Sequence, residues 1–507
     1  MSPERKVLAF DAGGGSTRIS KIGFDGCRFT LQQITRFPNG PVSAGGNLYW
    51  DILGIWRDLR DGLRKAVCED REVVSLGIDT WGNDFVMLDR KRCMLENPYT
   101  YRDSRTAGLV GEAGRLISDW DLYSRNGIQL NRMNTLYQLL SLSRQRPYIL
   151  EIADRLLFIA DLLAYYLTGE LKNEFTMATI SQLYSYGRAG WDHELMELLG
   201  IPARIFCPVI EPGEIIGNIS EKVCKEAGIQ RLRLTAVASH DTGSAVVAVP
   251  AEDDLPLYIS SGTWSIVGTE TDTPVINQEA FDFNCANEGG ANGKIRLLKN
   301  VMGLWIIQEM RRNLAVKGMR YTYGDLNRLA EGAKPFAAMI DPDDEAFYEP
   351  ADMPQAIRDY CIRTGQRAPE DTGSLVRTVL ESLAFKYRYV IEGLEKITGR
   401  IYDRIHIVGG GSGNALLNAF TANCCGKPVL AGPSEATTLG NGIVQMISLG
   451  EISDFTQARR IVKRSFPPKE YLPRDTHLWD EAYQRFLSGL SGGRFETAEK
   501  VKSSKKL

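Results

Sequence analysis

The sequence is poor in histidine and has no excess of either charge. Among 507 residues, 60 are basic and 63 acidic, for a net charge of −3. A basic surplus is the usual electrostatic signature of nucleic-acid or membrane-surface binding, so neither partner is expected. The four histidines, His193, His240, His406 and His477, lie in unrelated segments. This excludes a histidine cluster of the kind that binds zinc.

Paired cysteine motifs and long apolar runs are also missing. The nine cysteines form no matched C-x-x-C pairs, and adjacent Cys424 and Cys425 are interpreted as small apolar residues of a helix. The most membrane-like run, residues 156–167, is short and interrupted by Asp161, which favours a buried core helix. The first residues do not resemble a signal peptide. We therefore expect a cytoplasmic protein with reduced cysteines and no membrane partner.

The common nucleotide-binding signatures are absent, but three small-residue turns are present. No G-x-x-x-x-G-K-[ST] loop occurs, and Asn414 spoils the dinucleotide pattern that begins at Gly409. The turns are DAGGGSTR (11–18), SSGTWS (260–265) and VGGGSGN (408–414), and each follows a β-prone run. Each alone could be a plain β-turn. Together they favour phosphate binding by backbone N–H groups, with a nucleotide held between two domains.

The length predicts at least two domains, because a single core rarely grows beyond about 250–300 residues. Residues 6–26 and 257–270 both read as strand, turn and strand, which suggests a duplicated architecture. Residues 372–399 predict a long amphipathic helix, and residues 404–426 predict a strand, a glycine loop and a helix. Residues 494–507 read as a polar, frayed tail.

Two neighbouring residues in AVASHDTGSA (236–245) carry the strongest catalytic signal. Asp241 could accept the proton of an alcohol during phosphoryl transfer, which needs mainly positioning and one carboxylate. Alternatively, Asp241 or Thr242 is the N-cap of the following helix, and both roles can hold together. His240 could contact a substrate or be a packed, hydrogen-bonded histidine. Adjacent side chains seldom form a working dyad, so one residue is expected to carry the chemistry.

Two further segments offer weaker signals. Asp11 at a strand end could orient water around Mg²⁺, and Arg18 could meet phosphate; the alternative is a turn-capping aspartate and a surface arginine. Trp81 beside Gly82 could give a flat apolar wall for a sugar, whereas the alternative is a core tryptophan next to a turn.

A series of short motifs resembles the FGGY carbohydrate kinases. In chain order, from about residue 6 to 450, they are FDAGGGSTR, GIDTWGNDF, YRDSRT, NTLYQL, ASHDTGSAV, SSGTWS, NEGG, LKNVMGLW, HIVGGGSGN and EATTLGN. The resemblance implies an α/β, two-domain ribonuclease H-like fold, shared with actin and hexokinase, with a duplicated core and the active site in the interdomain cleft. It implies a sugar-binding domain at 1–247, a nucleotide-binding domain at 248–455, and a helix with a polar tail at 456–507.

The family pattern also implies roles for individual residues. Asp241 would be the catalytic base, and Asp11 would lie near Mg²⁺ through water. The implied sugar contacts are Gly82, His240, Asp241, Thr242 and Asn300. The implied ATP contacts are Gly14, Gly15, Ser16, Thr17, Arg18, Thr263, Gln308 and Gly410. Many family members have threonine where this chain has Gly14, so this loop is expected to rely more on backbone amides.

The activity that the resemblance implies is ATP-dependent phosphorylation of a ketose. The leading interpretation is transfer to O1 of L-rhamnulose, giving L-rhamnulose 1-phosphate in L-rhamnose catabolism. L-Fuculose or L-xylulose are alternative substrates, and an actin-like ATPase that acts as a chaperone or scaffold is an alternative of another class. The oligomeric state, monomer or homodimer, is left open.

Overall fold

The structure is a computed structural model that describes residues 4–253 and 255–492. The tail predicted at residues 494–507 lies outside them. The chain divides into two compact units that each combine separate stretches of sequence. The first unit comprises the residues up to Leu255 together with Glu270–Leu298 and Glu435–Pro467. The second comprises Pro256–Thr269, Lys299–Ser434 and the residues from Pro468 onward. The domain limits predicted from the sequence stay a prediction.

Strands and helices alternate along the first half of the chain. The strands are β1 Arg5–Ala12, β2 Ser16–Phe24, β3 Phe29–Pro38, β4 Pro41–Ala44, β5 Asn47–Trp50, β6 Val73–Thr80, β7 Phe85–Leu88, β8 Arg155–Phe158, β9 Asn173–Glu174, β10 Tyr184–Ser185, β11 Gly190–Trp191, β12 Val209–Ile210, β13 Ile215–Asn218 and β14 Arg233–Thr235. The helices are α1 Ile52–Glu69, α2 Leu109–Ala113, α3 Asp119–Asn126, α4 Thr135–Gln145, α5 Pro147–Ile152, α6 Ile159–Thr168, α7 Phe175–Ile180, α8 His193–Leu198, α9 Glu221–Ala227 and α10 Asp241–Val247.

The second half of the chain continues the alternation. Its strands are β15 Leu257–Ser261, β16 Trp264–Thr271, β17 Ala286–Gly289, β18 Ile295–Met302, β19 Ile405–Val408, β20 Val429–Ala431 and β21 Lys469–Tyr471. Its helices are α11 Gln278–Asp282, α12 Trp305–Val316, α13 Tyr323–Gly332, α14 Met353–Arg363, α15 Thr372–Thr398, α16 Ala415–Cys425, α17 Ala436–Ser448, α18 Phe455–Ser465 and α19 Thr476–Gly492.

The main sheet of the first unit has the strand order β13-β14-β6-β1-β2-β3. β1 and β2 are antiparallel, as the first strand–turn–strand pattern predicts, whereas β1 and β6 are parallel. Helix α1 covers this sheet, and the apolar side chains of Leu8, Ile55 and Leu59 share one buried core. Parallel strands joined through helices bring their carboxyl ends to one edge, where α/β proteins commonly bind ligands.

Helix α17 belongs to the first unit although it lies near the end of the chain. Gln445 on this helix donates its side-chain N–H to the carbonyl of Leu8 in β1, over 2.8 Å. Gly440 lets α17 approach α10, because a Cβ there would lie 1.8 Å from the carbonyl oxygen of Ser244. The core of the first unit thus includes a helix that begins 189 residues after the end of α10 (436 − 247).

The second unit repeats the strand–turn–strand beginning. β15 and β16 are antiparallel, β15 and β19 are parallel, and the strand order includes β16-β15-β19-β20-β21. The long helix predicted at residues 372–399 is confirmed as α15, which Asp371 caps and Gly399 ends with φ +67°. Asn414 accepts the backbone N–H of Leu417 and so caps α16, which explains an asparagine at this position of the glycine loop.

The prediction of one buried helix at residues 156–167 is partly wrong. Residues 155–158 form β8, which pairs with β7, and helix α6 begins at Ile159. A short apolar run does not distinguish a buried strand from a buried helix, so periodicity alone could not locate this boundary. Asp161 in the first turn of α6 is buried, and it accepts the side chain of Asn173 and the backbone N–H of Glu174. All nine cysteines are free of disulfides.

Candidate active site

Three acidic side chains of the first unit lie at the ends of neighbouring strands. The parallel register of β1 and β6 places Asp11 opposite Asp79. The segment after β14 continues beside β6, because the backbone N–H of Thr80 donates to the carbonyl of Ser239 over 2.8 Å. Asp241 follows two residues later. The chain therefore brings three carboxylates to the same edge of one sheet.

The carboxylates influence one another electrostatically. Burial raises the pKa of Asp79 well above its usual value, and the charge of Asp11 raises this pKa further, against a hydrogen bond from Asn441. Burial also raises the pKa of Asp241; His240 opposes this shift and Asp11 adds to it. An aspartate with a raised pKa is a stronger base than an ordinary one, as the acceptor of an alcohol proton should be.

Asp11 and Arg18 form a partly buried ion pair. Nη2 of Arg18 lies 2.6 Å from Oδ2 of Asp11, and Nη1 lies 2.8 Å from Oε2 of Glu435. The hydroxyl of Thr438 also donates to Oδ2 of Asp11, over 3.3 Å. The alternative interpretation of Arg18 as a surface arginine is therefore wrong: its side chain is 19% exposed and already bound to two carboxylates.

Asp241 is the first residue of α10. The N-cap is His240, whose side chain makes no capping hydrogen bond, so the alternative of Asp241 or Thr242 as the N-cap is wrong. Oδ1 of Asp241 accepts the backbone N–H of Thr242 over 2.6 Å and its hydroxyl over 3.2 Å. One third of the Asp241 side chain is exposed (33%), so a substrate can reach it. The helix N-terminus also stabilises the negative charge.

His240 lies beside Asp241 but forms no dyad with it. Its Nε2 is 3.6 Å from Oδ1 of Asp241, which is longer than a hydrogen bond. Gly82 faces the same ring: a Cβ there would lie 3.3 Å from Nε2 of His240 and 2.3 Å from Cδ1 of Ile180. Glycine at position 82 therefore gives room for both side chains. The sugar contacts predicted at positions 82 and 240–242 lie together in the first unit.

Trp81 faces the core. Its side chain is 5% exposed, its ring packs 4.0 Å from that of Trp50, and both indole N–H groups donate to Oδ2 of Asp84. Burial raises the pKa of Asp84 to about 6, against hydrogen bonds from Gln138 and the two indoles. This favours the alternative of a core tryptophan over an exposed wall for a sugar, and Gly82 beside it is buried as well.

The first glycine turn, at residues 11–18, exposes backbone groups and not side chains to a ligand. Gly14 and Gly15 are exposed, and Ser16 is partly exposed. The hydroxyl of Thr17 is buried and donates to Asp58 over 3.3 Å, so it points away from the turn. The amides of residues 14–16 are therefore the groups available to a phosphate at this turn, in keeping with the glycine at position 14.

The second unit brings its predicted nucleotide contacts together. The hydroxyl of Thr263 donates to Oε1 of Gln308 over 3.3 Å, and its carbonyl accepts the backbone N–H of Trp305. The glycine loop lies against the same turn, because a Cβ at Gly411 would lie 2.0 Å from Oγ of Ser261. Nothing lies within 4 Å of a Cβ placed on Gly410 in this loop. Asn300, in β18, is partly exposed.

The sheet edge that carries Asp11, Asp79 and Asp241, here called the acidic edge, includes several residues that the sequence did not single out. Asn441 donates to Oδ2 of Asp79 over 2.6 Å. Glu174 accepts the backbone N–H of Ser239, and the hydroxyl of Thr176 accepts that of His240. The pair Glu288 and Arg296 contacts the His240 ring. The motifs EATTLGN and NEGG contain Asn441 and Glu288, so the family resemblance was the only signal available for them.

A divalent cation fits the acidic edge only with help from other ligands. Within residues 4–253 and 255–492, no three histidine, cysteine, aspartate or glutamate side chains are grouped to hold a metal ion. The hydrogen bonds that Asp11 accepts from Arg18 and Thr438 all end on Oδ2, and Oδ1 of Asp79 is buried without a partner among the described residues. Mg²⁺ commonly binds proteins through one or two carboxylates plus phosphate and water, which matches this donor set.

A two-domain α/β fold with an acidic strand edge and small-residue turns suits phosphoryl transfer, which needs groups that bind phosphate and a carboxylate that accepts a proton. The sequence profiles of the FGGY family of carbohydrate kinases, N-terminal and C-terminal domains, match residues 7–248 and 257–449. The chain belongs to this family, and it is a carbohydrate kinase, for which ATP is the phosphoryl donor. The prediction of fold class and family is thus confirmed.

Curated relatives match nearly the whole chain. A rhamnulokinase of Bacteroides thetaiotaomicron is 43% identical over 483 residues, which cover 95% of this chain and 99% of the relative. A rhamnulokinase of Oceanobacillus iheyensis is 39% identical, covering 90% of this chain and 96% of the relative.

Solved structures resemble the fold at low sequence identity. A ligand-bound xylulose kinase from Lactobacillus acidophilus has a TM-score of 0.79 at 18% identity, covering 96% of this chain and 99% of that one. A glycerol kinase with ADP from Plasmodium falciparum has a TM-score of 0.78 at 15% identity, covering 97% of this chain and 99% of that one.

Among the described residues, no helix is both long and apolar enough to cross a membrane.

Proposed function

We propose that this enzyme transfers the γ-phosphoryl group of ATP to O1 of L-rhamnulose and releases L-rhamnulose 1-phosphate and ADP. The observation that carries the proposal is the similarity to rhamnulokinases of about 40% identity over nearly the full length of both chains. The carboxylate edge of the first unit supports it chemically. Among ketoses, L-fuculose and L-xylulose are not favoured, since the xylulose kinase likeness at 18% identity concerns the fold alone.

In the proposed reaction Asp241 accepts the proton of the sugar's O1 hydroxyl. O1 then forms a bond to the γ-phosphorus, and the bond from that phosphorus to the β–γ bridging oxygen breaks, leaving ADP. The two hydrogen bonds from Thr242 to Asp241 end on Oδ1, so Oδ2 is the proposed acceptor. His240 and Thr242 flank Asp241, and Gly82 packs against the His240 ring. These three residues are the proposed sugar contacts, together with Asn300.

The proposed nucleotide contacts divide between the two units. In the first unit the amides of residues 14–16 would meet phosphate, and Thr17 and Arg18 would hold the turn in place through Asp58 and Asp11. In the second unit the contacts would be Thr263, Gln308 and Gly410. Mg²⁺, when bound, would neutralise phosphate charge, with Asp11 meeting it through water. We propose that the first unit contains the sugar site and that the second unit supplies nucleotide contacts.

The test is a coupled ADP-release assay with L-rhamnulose, L-fuculose, L-xylulose and no sugar. We expect the highest kcat/KM with L-rhamnulose, and a sugar-free ATPase rate far below it. Phosphorus NMR of the product should show the phosphate on O1. A higher kcat/KM with L-fuculose or L-xylulose would contradict the substrate. An equal rate without sugar would instead favour the chaperone or scaffold ATPase. The cytoplasmic location stays a prediction, and the oligomeric state stays open.

A further inference from the structure

A fully buried charged side chain of the first unit, that of Arg296, lies in the β17–β18 hairpin. The hairpin register places Arg296 opposite Glu288. The Arg296 side chain has no exposed surface, and Glu288 is 7% exposed. Nη2 of Arg296 lies 3.0 Å from Oε2 of Glu288, and Nε donates to the carbonyl of Gly289 over 2.9 Å. A buried ion pair seldom adds net stability compared with apolar residues of similar size. The presence of Arg296 and Glu288 in the core therefore needs an explanation other than stability.

Both members of the pair reach the ring of His240. Nη2 of Arg296 is 3.2 Å from Nδ1 of His240, and Oε2 of Glu288 is 3.3 Å from the same nitrogen. Burial raises the pKa of Glu288, but the charge of Arg296 is the largest of the effects that lower it, and the net shift is downward. Glu288 is therefore an anion that holds the guanidinium against the ring.

The chemistry of arginine decides which ring nitrogen carries the proton. Of the two groups near Nδ1, Arg296 has hydrogen-bond geometry with it, whereas Oε2 of Glu288 has no hydrogen-bond partner among the described residues. A guanidinium only donates hydrogen bonds, so the bond from Arg296 requires Nδ1 to be an acceptor. The proton of a neutral ring is then on Nε2. Nε2 is the nitrogen that faces Gly82 and lies 3.6 Å from Asp241. The ring would present an N–H donor next to the proposed base.

We propose that Glu288 and Arg296 are a positioning pair that fixes His240 in the Nε2–H tautomer, so that the ring donates a hydrogen bond to a sugar hydroxyl beside Asp241. This proposal rests on the proposed function, because the sugar is the acceptor of that hydrogen bond. Sugar specificity then depends on two residues that do not themselves contact the substrate. A site that donates to a hydroxyl discriminates strongly against substrates that lack or misplace it.

The scarcity of histidine makes the tautomer directly measurable. Nitrogen-15 labelling of histidine gives ring signals from only four residues, and the His240→Asn variant identifies the signal of His240 by its loss. In the unliganded wild type we expect the neutral Nε2–H pattern at His240, and a change of this pattern in Arg296→Lys and Glu288→Gln. An Nδ1–H pattern in the wild type would overturn the proposal, whether or not the protein phosphorylates any sugar.

Kinetics test the consequence for the substrate. We expect Arg296→Lys and Glu288→Gln to raise KM for the sugar at least ~10-fold, or about 1.4 kcal/mol, and to leave KM for ATP within ~2-fold. The matched controls are Arg459→Lys and Glu270→Gln, because Arg459 and Glu270 form another buried ion pair of the first unit. The controls should lower the melting temperature without moving KM for the sugar or the His240 signal.

The outcomes separate the two proposals. A folded Glu288→Gln protein with the wild-type His240 signal and sugar KM would overturn the positioning role. Equal effects of the Arg459 and Glu270 controls on sugar KM would overturn it as well. If the wild type turns over none of the ketoses, the proposed function fails, and the tautomer measurement still decides on the pair. If Arg296→Lys does not fold, Glu288→Gln and the wild-type spectrum remain decisive.

Discussion

Asp241 combines an exposed carboxylate with surroundings that disfavour its charge. Burial and the charge of Asp11 raise its pKa, so an uncharged side chain of the same shape is compatible with the fold. We expect Asp241→Asn to lower kcat by ~10²–10⁴-fold and to keep both the melting temperature and ATP binding. Steady-state kinetics, thermal unfolding and nucleotide titration measure these quantities.

The control for this variant is Asp61→Asn, which makes the same change at an exposed position of α1. Near-normal turnover of Asp241→Asn would show that another group accepts the proton. The pH dependence gives a second check: because a base must be ionised, kcat/KM of the wild type should fall as the pH drops through the raised pKa of Asp241.

Glu174 predicts a pH-dependent stability. Burial raises its pKa to about 8 from an ordinary 4.5, against hydrogen bonds from Thr176. The folded protein therefore binds this proton more tightly than the unfolded chain does. The resulting stabilisation is complete below pH 4.5 and is lost as the pH rises through about 8. The free energy of unfolding should fall by on the order of a few kcal/mol between pH 6 and 9.

Urea unfolding at a series of pH values measures this loss. Glu174→Gln resembles the protonated side chain, so its free energy of unfolding should depend less on pH over the same range. Glu226→Gln, on an exposed part of α9, should keep the wild-type dependence. An unchanged dependence in Glu174→Gln would mean that Glu174 does not carry this proton.

At the level of residues, short-range patterns could be predicted and long-range pairing could not. A strand end followed by an acid and small residues indicates Asp11 and Asp241 as candidates. Arg296, in contrast, has the sequence character of a surface residue, since arginine is rarely buried without a partner. Its pairing with Glu288 becomes visible only through the register of the β17–β18 hairpin. The orientation of Trp81 depends likewise on Trp50, which is distant in sequence.

At the level of elements, α10 and α17 pack so closely that their contact requires a glycine, which has no side chain, at position 440. A Cβ at Gly440 would lie 1.8 Å from the carbonyl oxygen of Ser244 and 3.2 Å from Cβ of Val247. We expect Gly440→Ala to lose at least ~1–3 kcal/mol of stability. Because α10 begins at Asp241, kcat should fall as well.

Chemical unfolding and steady-state kinetics together test this packing. The matched control is Gly111→Ala in α2, where nothing lies within 4 Å of the added Cβ. The control should match the wild type or gain up to ~1 kcal/mol from helix propensity. Wild-type stability in Gly440→Ala would contradict the close approach of the two helices.

Most elements follow from local sequence patterns. The sequence predicted the two strand–turn–strand units that begin with β1 and β15. It also predicted the long helix α15 and the glycine loop before α16. Turn glycines and apolar periodicity specify all of these locally. The boundary between β8 and α6 was not. An apolar run suits either structure, and the pairing of β8 with β7 decides between them.

At the level of the whole molecule, the first unit depends on a late segment. Helix α17 supplies Asn441 to buried Asp79 and Gln445 to the backbone of β1. A fragment of residues 1–255 alone should therefore lack cooperative unfolding, because it would expose the core face that α17 covers. Circular dichroism during urea titration measures this.

Co-expression provides the control for the fragment. When residues 256–507 are produced as a separate chain in the same cell, the two fragments should purify together and regain activity. A cooperatively folded, monomeric 1–255 fragment would contradict the requirement for α17. The family resemblance predicted two domains, but the return of residues 435–467 to the first unit has no local sequence signal, since it follows from tertiary packing.

The interleaved chain also has a consequence for biosynthesis. A ribosome that has made Leu255 must add a further 212 residues before Pro467, the last residue of the first unit, exists. At about 5–20 residues per second this takes roughly 10–40 seconds. During that interval the nascent first unit has an apolar surface with no partner. Dependence on chaperones should therefore be concentrated in the second half of translation, and a slow codon run placed there would lower the yield of native enzyme.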